Sequence, residues 1–263
     1  MNRIDKKFKE LKRAGQKAFI AYITAGDPSL DVTEDIVLAL ESSGVDMIEL
    51  GIPFSDPLAD GPTIQAASYR ALKAGASLKK IFKVVERLRK LTEIPIVFMT
   101  YYNPVMKYGV QSFFKSCVSC GVDGVIVPDL PCEEAGELMA LGKRHKIATI
   151  FLASPTSTKD RIRKIVKVST GFIYYVSLTG VTGTRVKLPP EVVSNVRGIK
   201  KLTDKPVAVG FGISDAAQAR MIAKVADGVI VGSAIVKIIG KKNKLIPKVS
   251  NFAGRLARAI HEK

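Results

Sequence analysis

Histidine is almost missing: His145 and His261, both expected at the surface of helices, are the only two in 263 residues. That scarcity speaks against a histidine base and against a three-ligand zinc site, so no metal is expected. Cysteine is nearly as scarce. Cys117, Cys120 and Cys132 make an odd count, which does not build a disulfide framework. The CVSC pair falls late in a helical pattern with no second CxxC beside it, so structural thiols in a reducing cytosol are expected. No run approaches about 20 apolar residues, which excludes an evident membrane span. Met1 to Lys17 is charged and periodic without an apolar stretch, so no secretory leader is expected. Acidic residues are outnumbered, 24 Asp plus Glu against 41 Lys plus Arg, for a formal net charge of +17. Such a balance raises nucleic acid as a partner. The lysines, however, are spread over the putative helices, and no basic strand interleaves aromatics. A solvated basic surface is the reading, with attraction of an anionic substrate as a second benefit. No nucleic-acid or membrane partner is expected, and the expected location is cytoplasmic.

What is present is a 47% hydrophobic chain with short apolar runs at regular intervals. Strands are predicted at residues 17–24, 47–51, 94–100, 124–128, 148–152, 172–176, 206–210 and 228–232. Helical periodicity fills the gaps. Ile4, Phe8 and Leu11 mark an N-terminal helix ended near Gly15. Val32, Ile36, Val37 and Leu40 mark a second, capped by Ser29 or Asp31. Ser77 precedes another, with Leu78, Ile81, Phe82, Val85 and Leu88 in period. Phe113, Phe114 and Cys117 face inward from residues 110–120. Residues 133–144 carry acids at the start and bases at the end, matching a helix dipole. Ser157 or Thr158 caps a helix to about Val168, Pro189 starts the next, and residues 247–262 close the chain. Tyr101 to Pro104 reads as an exit loop.

Strands that are continuously apolar are buried on both faces, which implies a parallel sheet. Eight such units in about 260 residues is the count of a (β/α)8 TIM barrel. One catalytic domain over residues 1–263 is expected, with an extra N-terminal helix and additional short helices. GVDMIEL at 44, GVDGVIV at 121 and VADGVIV at 225 echo one another, each with an Asp just before a strand. No Gly-x-Gly-x-x-Gly follows the first strand, which disfavours a dinucleotide fold. No nucleophile elbow occurs, and no lysine sits in mid-strand for Schiff-base chemistry.

The chemistry gathers in residues 44–61, GVDMIELGIPFSDPLADG. Glu49 interrupts an apolar strand, where a carboxylate is costly unless paired or used. Asp56 and Asp60 follow in a loop rich in Gly and Pro. Glu49 shares a face with Met47 and Gly51, and period alone leaves open which face points into the barrel. The inward choice puts two carboxylates at one site, able to add and remove protons at two places on a ligand. Partial burial would lift Glu49 toward neutrality. The last strand exits are glycine-rich, and Gly212 and Gly232-Ser233 each open a helix. That pattern fits a phosphate held by backbone N–H groups. Tyr22, Tyr101, Tyr102, Tyr174, Tyr175 and Phe211 stand at strand exits, where together they could line a flat apolar pocket.

The chain resembles the tryptophan synthase alpha subunit family from end to end. The resemblance rests on ELGIPFSDPLADGPTIQ (Glu49 to Gln65), AYITAGDP (Ala21 to Pro28), YYNPV (Tyr101 to Val105), GVTG (Gly180 to Gly183), GFGIS (Gly210 to Ser214) and GSAIV (Gly232 to Val236). It implies reversible cleavage of indole-3-glycerol phosphate to indole and glyceraldehyde 3-phosphate, with no cofactor in this subunit. It implies that Glu49 is the general acid/base, that Asp60 stabilises charge on the indole nitrogen, and that Tyr174 packs by the substrate. Gly183, Gly212, Gly232 and Ser233 match the phosphate cradle. Thr182 matches a loop-closing threonine. Tyr22, Thr100, Val127 and Phe211 correspond to the indole pocket. The family works as an αββα complex with a pyridoxal-phosphate beta subunit, and Asp56, Pro57, Asn103, Pro104 and Pro131 map to the partner-facing side. The chain departs from the family pattern at Leu178 and at Thr184-Arg185, which bears on loop closure and partner signalling. Thr100 is more polar than the residue often found there. Two competing readings are a related phosphate-sugar barrel isomerase or synthase, which would lack the Glu49 and Asp60 pair, and a basic nucleic-acid-binding protein.

Overall fold

The computed structural model describes residues 2–176, 190–210, 212–241 and 243–262. Its strands are β1 (Ala18–Thr24), β2 (Met47–Gly51), β3 (Ile96–Met99), β4 (Gly124–Ile126), β5 (Ala148–Ile150), β6 (Leu152–Ala153), β7 (Ile173–Val176), β8 (Val207–Gly210) and β9 (Gly228–Val231). All pairs are parallel, in the order β5-β4-β3-β2-β1-β9-β8-β7-β6. The two ends of that order, β5 and β6, are halves of one strand separated by Phe151 alone. The first half pairs with β4 and the second with β7, so the sheet comes round into an eight-membered barrel of the TIM type.

The helices are α1 (Arg3–Ala14), α2 (Leu30–Ser42), α3 (Pro62–Lys73), α4 (Leu78–Leu88), α5 (Tyr102–Tyr108), α6 (Val110–Cys120), α7 (Gly136–His145), α8 (Lys159–Val168), α9 (Pro190–Lys200), α10 (Ala216–Ala223), α11 (Ser233–Ile239) and α12 (Leu245–His261). Caps explain several boundaries. Ser29, rather than Asp31, starts α2 by accepting the Val32 N–H, and Thr158, rather than Ser157, starts α8 by accepting the Arg161 N–H. Gly15 ends α1 in the left-handed conformation at φ 68°.

Three expectations need correction. The exit of β3 is helical: Asn103 and Pro104 lie in the first turn of α5, where proline's missing N–H has no helical partner to lose. Helix α7 begins at Gly136, so Glu133 and Glu134 stand in the turn before it and only Glu137 remains in the first turn. The two histidines are half-buried and engaged: His145 stacks on Phe114, and His261 Nε2 lies 2.8 Å from Asp46 Oδ2. Pro189, expected to open α9, lies outside the described residues.

Alternation along the strands divides the core. Phe19, Ala21, Ile48, Leu50, Phe98 and Val125 pack outward against the helices. Ala18, Ile20, Met47, Val97, Ile126, Ile150, Tyr174, Ala208 and Ile230 fill the barrel. Helix α1 plugs the lower mouth, bringing Ile4, Phe8 and Leu11 into that interior cluster, with the Phe8 and Phe172 rings 5.8 Å apart.

The three echoed aspartates form one repeated joint at that lower end. The side chains of Asp46, Asp123 and Asp227 accept the backbone N–H of Phe19 (2.8 Å), Ile96 (2.9 Å) and Val207 (3.1 Å), each at the start of the preceding strand. Their own N–H groups donate back to the carbonyls of the same three residues. Each joint has a basic side chain beside it: His261 on Asp46, Arg89 and Arg3 on Asp123, Lys200 and Lys17 on Asp227. The echo therefore marks the base of the barrel, where residues serve stability rather than chemistry.

Candidate active site

Glu49 points into the barrel. It lies in register between Tyr22 of β1 and Val97 of β3, two residues above Met47 of the interior cluster. It is 1% exposed, and neither carboxylate oxygen has a hydrogen-bond partner. Burial pushes its carboxyl up to about 8, and the charge of Asp60 adds to the effect. A group in that state carries a proton at neutral pH and can both give and take one.

Asp60 reaches the site from the loop at residues 52–61. Its N–H donates to the Pro57 carbonyl at 3.0 Å, and its carbonyl accepts from Gln65 Nε2 at 2.8 Å. The neighbouring Ala59 N–H donates to the Tyr101 hydroxyl at 2.9 Å. Asp60 is half-buried; burial raises its carboxyl, against the lowering influence of the Tyr101 hydroxyl. The two carboxyls thus have unequal environments, the condition that separates an acid from an anion at one pH. Gln65 and Tyr101 were not assigned to this loop from the sequence. Gln65 is one residue type among many on α3 until the turn brings it back under Asp60.

Two tyrosines stand over two glycines. Tyr22 of β1 occupies the space where a Cβ on Gly51 of β2 would project, and Tyr174 of β7 does the same over Gly210 of β8, its Oη 2.9 Å from that position. In both pairs the glycine stands opposite the residue two places beyond the tyrosine. Each ring therefore leans up and across to the exit of the next strand. Burial first, then the carboxylates, keep both hydroxyls from ionising.

Two further side chains join the inward face beside Glu49. Met99 pairs in register with Gly51 and Ile126, and it packs against both the interior cluster and the Tyr22 cluster. Thr100 is buried with its hydroxyl 3.3 Å from the Tyr101 carbonyl, and Val127 packs with the outer core. Met99 and Ile126 therefore share the inward face of Glu49, and Thr100 and Val127 are the buried residues that follow them at the exits of β3 and β4. Alternation counted from Glu49 finds Met99 and Ile126 only once the register across β2, β3 and β4 is known.

On the same rim, β8 and β9 are neighbours, so Gly212, Gly232 and Ser233 gather just beyond their exits. Gly212 has φ 41°, and a Cβ on Gly232 would stand 3.2 Å from Tyr22 Cβ. Thr182, Gly183 and Phe211 lie outside the described residues. Around the mouth, Asp56 and Asn103 are exposed, and Pro57, Pro104 and Pro131 are half-buried. Leu58 is 95% exposed and Met106 57%. Asp129 ties the exits of β3 and β4 by accepting the Tyr102 N–H at 2.9 Å.

Cys117 and Cys120 are buried in α6, and burial pushes Cys120 up to about 11, which makes it a poor thiolate. Among the described residues no group of three or more His, Cys, Asp or Glu could hold a metal ion, and no helix is long and apolar enough to cross a membrane.

Comparison with known proteins agrees with this geometry. The family model described as "Tryptophan synthase alpha chain" matches residues 8–261. The chain is 54% identical over 237 residues to the tryptophan synthase alpha chain of Geotalea daltonii, covering 90% of each. It is 51% identical over 263 residues to that of Caldanaerobacter subterraneus subsp. tengcongensis, covering 99% of this chain and 100% of the relative. Among solved structures it is similar to tryptophan synthase subunit alpha of Legionella pneumophila, with TM-score 0.92, 37% identity, and 99% and 98% of the two chains covered.

Proposed function

The chain belongs to the tryptophan synthase alpha chain family, a lyase acting on indole-3-glycerol phosphate, and we propose that Glu49 and Asp60 carry its reaction. The observation that supports this reading is the pair itself: a buried, unpartnered carboxyl on the inward face of β2 and a second carboxyl brought over it by the following loop.

Cleavage of the bond between indole C3 and the glycerol chain needs the ring as an electron sink. Glu49, protonated at neutral pH, gives its proton to C3. The ring then carries positive charge at nitrogen, which the Asp60 carboxylate stabilises. The bond from C3 to the side chain breaks, and its electron pair returns to the ring as indole. The side-chain hydroxyl becomes the aldehyde of glyceraldehyde 3-phosphate and gives its proton to the Glu49 carboxylate. One proton leaves Glu49 and one returns, so the residue ends as it began. A positioned proton-transfer group of this kind contributes roughly 10² to 10⁴ in rate.

Tyr22, Tyr174, Met99 and Ile126 wall the indole, and Gly212, Gly232 and Ser233, with Thr182 and Gly183, receive the phosphate. The chain is the alpha component of an alpha–beta complex. The finer arrangement is αββα, with pyridoxal phosphate in the beta subunit, which condenses the released indole with serine. The exposed rim of Asp56, Leu58, Asn103 and Met106, with Pro57, Pro104 and Pro131, faces that partner. Three free buried cysteines fit a reducing cytoplasm.

Indole release from indole-3-glycerol phosphate tests the reading, for wild type, Glu49→Gln and Asp60→Asn, with and without a beta subunit. Loss of nearly all turnover in both variants, with substrate binding kept, is expected. Turnover retained by either variant removes that residue from the mechanism.

A further inference from the structure

Glu49 is buried without a hydrogen-bond partner on either oxygen. Once it has given its proton to carbon it is an anion in an apolar barrel, the most costly state of the cycle. The titratable groups that face it are Tyr22 from β1, Asp60 from the loop after β2, and Tyr174 from β7, with Tyr101 behind Asp60 at the exit of β3. Asp60 is an anion itself and cannot help. Among the described residues no cation faces Glu49. Among the described groups that face it, the tyrosine hydroxyls are neutral donors.

Tyr22 has the placement. It is the direct register partner of Glu49, on the same inward face. Its ring does not stand upright over β1. It leans toward β2 into the space left by the missing Cβ of Gly51, and a second glycine, Gly232, leaves room behind it at Cβ. The hydroxyl is thereby set at the exit of β2, where both Asp60 and Glu49 act on it. The Thr24 hydroxyl stands beside that of Tyr22 and favours its ionised form, an influence smaller than those of burial and Asp60. The Tyr22 residue is 8% exposed, so water competes little for its proton.

We propose that the Tyr22 hydroxyl is a positioning group that donates a hydrogen bond to the Glu49 carboxylate formed during turnover. This rests on the reading of Glu49 as the acid–base residue. The hydroxyl keeps its proton throughout; burial, Asp60 and Glu49 itself all oppose its ionisation. It acts as a dipole that stabilises the anion, and thereby favours proton delivery to carbon. A donor to the charged form lowers a carboxyl's pKa, so its removal must raise it. The aromatic ring serves the indole pocket independently of this role.

The test is the pH profile of kcat and kcat/KM for wild type, Tyr22→Phe and Glu49→Gln, each full chain assayed with a beta subunit. Phenylalanine keeps the ring and the packing. Turnover in wild type falls as pH rises through the ionisation of Glu49, because the proton needed at carbon is then gone. In Tyr22→Phe that limb moves up by about one pH unit, and kcat falls roughly ten-fold with KM within about two-fold. A Tyr22→Phe profile superimposable on wild type overturns the proposal, and so does a lower kcat with an unmoved limb, which would assign Tyr22 to packing alone. If Glu49→Gln turns over, the reading of Glu49 fails first; if it is inactive while Tyr22→Phe keeps the wild-type profile, only the hydroxyl's role fails.

Discussion

The Tyr101 hydroxyl accepts the Ala59 N–H at 2.9 Å, pinning the residue next to Asp60 to the exit of β3. The loop after β2 has few other fixed points: the turn from Asp60 N–H to the Pro57 carbonyl, and Gln65 on the Asp60 carbonyl. The position of Asp60, which we assign to the reaction, therefore depends on an aromatic side chain from the exit of another strand. Tyr101→Phe keeps the contact of this ring with Phe54, whose centroid is 5.3 Å away, and removes the tether together with the hydroxyl's lowering influence on Asp60. Indole release should fall roughly ten-fold with little change in unfolding temperature, since small misplacements of reacting groups cost heavily. Unchanged turnover would show that the remaining backbone contacts hold the loop.

Gly51 is the second dependency. A Cβ there would overlap the Tyr22 hydroxyl and ring. Gly51→Ala should displace Tyr22 into the space beside Glu49, lowering kcat/KM by about 10² while costing about 1–3 kcal/mol of stability. Steady-state kinetics with a urea titration checks both. Wild-type kinetics in this variant would mean that Tyr22 has room to move aside.

The base of the barrel should behave in the opposite way. Asp123 is 4% exposed and holds Arg89 at 2.8 Å, with the Ile96 N–H at 2.9 Å. Asp123→Ala leaves Arg89, itself 10% exposed, without its carboxylate. Loss of one partner from such a pair costs about 3–5 kcal/mol. Urea midpoints should drop accordingly, while kcat of the folded protein stays at the wild-type value. A fall in kcat without loss of stability would place this joint in the active-site machinery.

Glu49 makes stability depend on pH with a definite sign. Its folded value, about 8, lies above the ordinary 4.5, so the folded chain binds this proton more tightly than the unfolded chain. The stability it contributes is complete below the ordinary value and is lost as pH rises through that window to the folded value. The slope is at most about 1.4 kcal/mol per pH unit. Glu49→Gln removes the titration, so the variant should gain on wild type as pH rises from about 5 to about 8. Denaturant midpoints at several pH values measure it, and parallel curves for the two proteins would contradict the buried, protonated state.

Much of this was legible in the sequence, for identifiable reasons. Strands buried on both faces leave continuous apolar runs, so all eight units could be read, and a lone carboxylate inside one of them singled out Glu49. The fine placement was not legible, because it depends on neighbours distant in sequence. Met99 and Ile126 share the inward face of Glu49, which alternation shows only once the register across β2, β3 and β4 is known. Tyr-Tyr-Asn-Pro reads as a loop until one sees that a proline in the first turn of α5 costs no hydrogen bond. The repeated Asp before a strand was visible as a pattern, but only the ladder shows that it binds the start of the strand before it.

The proton on Glu49 is the centre of the proposed mechanism, and infrared difference spectroscopy reads it without turnover. Spectra of wild type minus Glu49→Gln, recorded across a pH titration, isolate the carboxyl stretch of this one side chain. A protonated carboxyl band that persists at neutral pH and disappears near pH 8 is the predicted result. A carboxylate already ionised at about pH 5, as for an exposed glutamate, would contradict the account.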